Sequence, residues 1–181
     1  MKELEFITDF DRETEKKLKR LYKTAFPPSE RKPYSFIKKK VKEGKMRLIA
    51  LSGGKGEFLG LMVLYFYKEL VLIDYFAVEN DARGKGIGSS ALEKLKAEYE
   101  KARIVIEIED TETDCAELAV RLRRKDFYLR HGAEVMEYKV MLYGVKMHIL
   151  SIGGEVPFEE YYAILQDMWQ RDVSRYVYET E

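Results

Sequence analysis

An α/β fold with a mixed central sheet is predicted by the way the hydrophobic period changes along the chain. Helical spacing over residues 11–43 gives way to three apolar runs between Met46 and Val78, and a strand, helix, strand unit then ends at Ile108. The meander predicts antiparallel pairing, and the strand-helix-strand unit predicts a parallel crossover. A C-terminal hairpin closes the expected sheet, with helices flanking it. The 181 residues, 46% hydrophobic, suit a single domain, with residues from about 157 to 181 as a helical extension.

Each element has a local cause. Leu18, Leu21, Tyr22 and Ala25 form the stripe of a helix that opens near Asp11 and stops at Pro27-Pro28. A second helix is expected from Pro33 to Glu43, with Phe36, Ile37 and Val41 as its apolar stripe and Gly44 ending it. Met46 to Leu51 and Phe58 to Tyr67 read as strands joined by Ser52-Gly53-Gly54-Lys55-Gly56-Glu57, and Leu70 to Val78 follows. From Ile87 the residues Leu92, Leu95 and Tyr99 restore a helical face, and Arg103 to Ile108 is a strand dense in β-branched residues. Ala116, Leu118, Ala119 and Leu122 mark a further helix that breaks near Gly132. Val135 to Leu142, the turn Tyr143-Gly144 and Val145 to Leu150 make the hairpin. Pro157 opens a last helix rich in aromatics, and the remaining residues read as a polar tail.

Charge and composition exclude several function classes. Thirty-two basic and 32 acidic side chains leave no net charge to draw the chain to nucleic acid or an anionic membrane, so any anion site must be built locally. Cys115 is the only cysteine, which excludes an intrachain disulfide and multi-cysteine metal motifs. His131 and His148 lack metal-ligand spacing and read as structural or surface residues, so no metal is expected. The start Met1-Lys2-Glu3-Leu4-Glu5-Phe6 is not that of a signal peptide, and the apolar run Phe58 to Tyr67 is too short to span a bilayer. A cytoplasmic location is the expectation.

The segment that carries chemistry is Arg83-Gly84-Lys85-Gly86-Ile87-Gly88-Ser89, between a strand and a helix. Three alternating glycines let backbone N–H groups approach a phosphate, the helix N-terminus adds partial positive charge, and Arg83 and Lys85 add two cations. A plain turn would account for one Gly-x-Gly, but not for the ordered set of strand, base, glycines, helix and strand. Gly86-Ile87-Gly88-Ser89-Ser90-Ala91 also satisfies a dinucleotide pattern, with Glu107 or Glu109 about 20 residues on. The intervening Glu79 to Arg83 and the preceding meander argue against that reading. No Gly-Lys is followed by Ser or Thr, which excludes a Walker A loop.

Arg83-Gly84-Lys85-Gly86-Ile87-Gly88 resembles the Arg/Gln-x-x-Gly-x-Gly/Ala signature of the GNAT superfamily of N-acetyltransferases. Phe127-Tyr128-Leu129-Arg130-His131-Gly132-Ala133 resembles the second motif of that family, with Ala133 where an aromatic is usual, and the element order agrees from about Leu4 to Leu150. The resemblance implies acetyl-CoA as cosubstrate. Its pyrophosphate would lie on the backbone of Arg83 to Ser89, its pantetheine arm along Phe76, Ala77 and Val78, and its acetyl oxygen at the Val78 N–H. The implied activity is acetyl transfer to a primary amine by direct attack; the alternative is a non-catalytic acyl-CoA-binding sensor or interaction module.

Tyr128 carries over as the acid for the departing thiolate. For the base the candidates are Glu107 first and Asp74 second, with Glu109 beside them; Glu107 and Glu109 share one face of their strand and could instead be solvated or paired with Arg103 and Arg121. Arg121, Arg123, Arg124 and Lys125 read as a solvated helix face or as a contact for the 3′-phosphate of coenzyme A. The family resemblance places the acceptor, a small-molecule or peptide amine, near Phe26 to Tyr34 and Tyr143 to Met147. Glu30, Arg31, Tyr34, Tyr65 and Tyr67 are candidate contacts there. The final aromatic helix either covers the sheet or supports a homodimer.

Overall fold

The computed structural model describes residues 4–54 and 56–180; Lys55, in the expected turn, and Met1-Lys2-Glu3, which opens the N-terminal reading, lie outside them. The elements are β1 (Glu5–Ile7), α1 (Arg12–Ala25), α2 (Tyr34–Lys42), β2 (Met46–Gly53), β3 (Glu57–Tyr67), β4 (Leu70–Val78), α3 (Ile87–Glu98), β5 (Arg103–Glu109), α4 (Leu118–Arg130), β6 (Glu134–Leu142), β7 (Val145–Ile152), α5 (Phe158–Trp169) and β8 (Val177–Thr180). Strand order is β1-β2-β3-β4-β5-β7-β6-β8, the mixed sheet with one parallel pair that the sequence predicts. The chain groups into two compact units: residues up to Tyr65 with Ile73–Ala97, and Phe66–Leu72 with the chain from Glu98 onward.

In the first unit, the Asp11 carboxylate caps α1 by accepting from the Thr14 N–H at 2.8 Å, and Leu18, Leu21 and Tyr22 are the buried face. Pro27 and Pro28 end the helix because neither has an N–H to continue it. Tyr22 and Phe26 then meet the Tyr75 ring of β4 edge-on, each at 4.9 Å between centroids. The Tyr75 hydroxyl accepts from the Lys32 N–H at 2.9 Å and donates to the Glu30 carbonyl at 2.8 Å, while the Tyr22 hydroxyl donates to the Lys32 carbonyl at 2.9 Å. The loop between α1 and α2 is therefore tied to β4 through its backbone.

β3 approaches the end of β4 closely at Gly60. A Cβ there would lie 2.4 Å from the Ala77 carbonyl oxygen and 3.2 Å from the Val78 Cα, so only glycine fits. The Glu79 N–H donates to the Leu59 carbonyl at 2.8 Å, fixing where the strand yields to the next segment.

In the second unit, β5 alternates as expected: Ile104, Ile106 and Ile108 are buried on one face, and Glu107 and Glu109 lie half-buried on the other with Val105. β7 pairs with β5 from Ile104↔Ile152 to Glu109↔Met147, and β6 pairs with β7. α5 buries Tyr161, Ile164, Leu165 and Met168, and Arg103 holds its first turn by donating to Glu160 at 2.5 Å.

Four expectations are corrected. The last residues are not a polar tail: β8 pairs antiparallel with β6 from Leu142↔Val177 to Lys139↔Thr180. Val173 and Val177, both buried, anchor that return among charged neighbours that mask them in the composition. The hairpin consequently does not close the sheet, since β8 adds an edge, and the extension after residue 157 is part helix and part strand. Pro33 and Pro157 stand at the N-cap of their helices, one residue before the expected first helical position.

Gly60→Ala is expected to destabilise the fold by about 1–3 kcal/mol, since backbone must shift to admit the methyl group. Urea unfolding measures it, and an unchanged midpoint would contradict the close approach of β3 to β4.

Candidate functional site

The loop between β4 and α3 has the backbone of an anion cradle. Gly84 and Gly86 adopt φ of +73° and +78°, in the left-handed region, and the space a Cβ would enter at either is open within 4 Å. The first helical bond of α3 in this stretch is Ser90 N–H to the Gly86 carbonyl at 2.9 Å. The N–H groups of residues 87–89 thus belong to the helix end, where an anion finds donors and partial positive charge. Lys85 is exposed beside them; Arg83 folds back, its Nε donating to the Val78 carbonyl at 3.2 Å. Arg83 therefore also braces the strand end. Phe76 and Val78 are half-buried and Ala77 is buried, with Gly60 of β3 behind the last two.

Asp74 is in this same unit and has a partner that spacing along the chain does not reveal. Lys32 donates to its Oδ1 at 2.6 Å, with the two side chains 16% and 2% exposed, while Oδ2 is buried without a hydrogen bond. Tyr34, on the neighbouring α2, has a buried hydroxyl without a hydrogen bond, and burial raises its pKa to about 12.

Glu107, Glu109 and Tyr128 lie in the second unit. The buried Tyr161 of α5 donates its hydroxyl to Glu107 Oε1 at 2.7 Å, and burial together with the Glu107 charge pushes the Tyr161 pKa well up. Glu109 accepts from Arg124 at 2.5 Å, so its partner is neither Arg103 nor Arg121. Tyr128 is buried at 7% exposure with its ring edge-on to Phe127. Burial lifts its pKa to about 12, which keeps the phenol protonated at neutral pH.

The basic residues of α4 divide. Arg121 donates to the Asp110 carbonyl at 3.1 Å, Arg124 to Glu109 and Lys125 to the Thr111 hydroxyl at 3.3 Å, while Arg123 is exposed. Three of the four thus secure the end of β5, which corrects the reading as a simply solvated face. His131 contacts the Phe127 carbonyl through Nδ1 at 2.6 Å, a structural place. His148 is buried against Asp110 and Thr111, at 3.3 Å and 3.2 Å. Asp110, Glu112 and His148 gather ligand atoms within 4.8 Å, but the Lys139 ammonium already pairs with both carboxylates. Burial pushes the Asp110 carboxyl up, yet hydrogen bonds from Thr113 and the Glu112 backbone outweigh it and hold the pKa low. Burial, reinforced by Lys125 and Lys139, lowers that of His148.

Sequence reasoning missed Lys32, Tyr161 and Gly60. Lys32 and Tyr161 are ordinary by pattern, and only the buried Asp74 signalled that some cation was needed; Gly60 carried a signal, a glycine interrupting an apolar strand.

Comparison with known proteins bears on the family and the fold. The Acetyltransferase (GNAT) family matches the chain over residues 15–132. Among solved structures, a GNAT-family protein from Bacteroides thetaiotaomicron is similar with a TM-score of 0.73 at 22% identity, over 96% of this chain and 97% of that one. Spermidine N-acetyltransferase from Vibrio cholerae, solved with CoA and spermine, is similar with a TM-score of 0.62 at 12% identity, over 83% and 95%. An acetyltransferase from Bacillus subtilis, solved with CoA, gives 0.60 at 14% identity, over 84% and 98%. These identities speak to the fold. No curated protein sequence matches the chain. Among the described residues no helix is long and apolar enough to cross a membrane.

Two outcomes are expected. Asp74→Ala leaves the Lys32 ammonium without its partner and should cost on the order of 2 kcal/mol in urea unfolding, whereas a neutral effect would mean the pair is dispensable. Because the folded pKa of His148 lies below its ordinary 6.5, the unfolded chain takes up that proton first as pH falls. Stability should therefore decline below pH 6.5, and His148→Gln should flatten the decline; an equal slope in the variant would assign it to other groups.

Proposed function

The chain belongs to the GNAT acetyltransferase family, and from that premise we propose that it transfers the acetyl group of acetyl-CoA to a primary amine by direct attack. The observation that carries the reading is the loop at Arg83 to Ser89, with two left-handed glycines opening onto a helix N-terminus. Such a loop offers backbone donors that a pyrophosphate can accept from without side-chain obstruction. The exposed Lys85 adds charge, and Arg83 reaches the anion only by leaving or sharing its bond to Val78.

Acetyl-CoA supplies an acetyl thioester. The Val78 N–H is the proposed donor to the acetyl oxygen, stabilising the negative charge that develops as the amine attacks. The new C–N bond forms as the C–S bond breaks. The amine gives a proton to a carboxylate, and the thiolate sulfur takes one from Tyr128; solvent then reprotonates the phenolate. Glu107 is the first candidate for the base. Its bond from Tyr161 orients it. Asp74 remains the second candidate, at the expense of its pair with Lys32. Cys115 has no proposed part in the transfer.

Calorimetry with acetyl-CoA, desulfo-coenzyme A and NADH tests the reading. Micromolar binding of the coenzyme A compounds that is lost in a folded Gly86→Glu supports it, and binding of NADH alone overturns it. Glu107→Gln should lower turnover by roughly a hundredfold with little change in cofactor affinity, and unchanged turnover would remove Glu107 as the base. Binding without transfer to any amine in a broad panel would favour the sensor or interaction module.

A further inference from the structure

Residues of α1, the following loop and the start of α2 line an open cavity of about 540 Å³ in the first unit. Its walls carry Lys19, Lys23, Arg31 and Lys32 beside Tyr22 and Tyr34, and no carboxylate is among the lining residues. Lys19 shares Glu15 at 3.3 Å and also sits 5.0 Å over the Tyr34 ring, and Lys32 is paired with Asp74. Among the described residues, Lys23 and Arg31 have no such carboxylate partner. In a chain of zero net charge, the two cations not paired with a carboxylate leave local positive charge that favours an anion there.

We propose that this cavity receives the anionic group, carboxylate or phosphate, of a small amine acceptor. The proposal rests on the acetyl-transfer reading above and narrows its substrate class. Lys32, on the cavity wall, is bonded to Asp74 of β4, and the proposed thioester edge at Phe76 to Val78 begins two residues along the same strand. At about 3.3 Å per residue the strand interval from Asp74 to this edge is roughly 7–13 Å, the scale of a small molecule with an acid at one end and an amine at the other. The Arg31 fork suits a two-oxygen contact with either acid, and Lys23 adds a point charge. A polyamine would bring like charge to these cations. The acceptor class assigned here therefore differs from that named for the spermidine enzyme of Vibrio cholerae.

The test measures thiol release from acetyl-CoA with paired acceptors: amino acids against their carboxamides, aminoalkyl phosphates against amino alcohols, and spermidine. The expected result is a kcat/KM preference of roughly tenfold or more for an anionic acceptor over its neutral partner, the two pairs distinguishing carboxylate from phosphate. Lys23→Ala/Arg31→Ala, at an exposed and a half-buried position, should raise KM for that acceptor about tenfold and erase the preference while the coenzyme A Kd holds. Preference for spermidine or neutral amines, or an unchanged preference in the double variant, overturns the proposal. Loss of coenzyme A affinity in that variant also overturns it by assigning the cations to the cofactor. If the wild type transfers to no amine, the acetyl-transfer reading fails by itself, and calorimetry with inorganic phosphate and with acetate then decides the cavity. Binding of either that the double variant loses keeps the anion site, and no binding removes it.

Discussion

Lys32 and Asp74 meet at 2.6 Å, and much of the first unit is arranged around that pair. A carboxylate with a 2% exposed side chain on an apolar strand has lost its water, so a cation must reach it, and the cation comes from a loop more than forty residues earlier. The loop is then held by its backbone as well, through the hydroxyls of Tyr75 and Tyr22. The same loop walls the cationic cavity and the same strand runs on to Val78. Charge neutralisation inside the unit, needed for folding, therefore also places the basic residues that give the cavity its character.

The second unit meets a similar demand at the end of β5. Glu107 is bonded by a buried tyrosine and Glu109 by an arginine, while Asp110 is surrounded by Thr113, Lys139 and His148. The two glutamates share a strand face but differ in surroundings. A buried phenol orients Glu107 through a hydrogen bond, and an arginine pairs with Glu109. In the proposed mechanism Glu107 is the first candidate for accepting a proton. The bond from Tyr161 also gives α5 a purpose beyond covering apolar surface.

At the glycine loop, backbone shape does most of what side chains do elsewhere. Gly84 and Gly86 take left-handed conformations, and Gly60 lets β3 come close enough to fix where β4 ends. Arg83, the cation most prominent in the motif, spends one donor on the strand end at Val78. Its place in the signature therefore reflects the geometry of the turn as much as attraction for an anion.

The period changes, the proline and glycine stops and the ordered glycine motif were legible in the sequence because each depends on residues close along the chain. So were the mixed sheet, the helix after the loop and the facing of Glu107 with Glu109. The return of Val173 and Val177 to form β8 was hidden, since two buried valines in a charged segment leave no local periodic signal. Lys32 beside Asp74, Tyr161 beside Glu107 and Arg124 beside Glu109 were decided only in the folded chain. Desolvation makes each carboxylate need a partner, but many lysines, arginines and tyrosines could meet that need. Which one does so depends on the packing of elements far apart in sequence, and that distance is set by the tertiary structure.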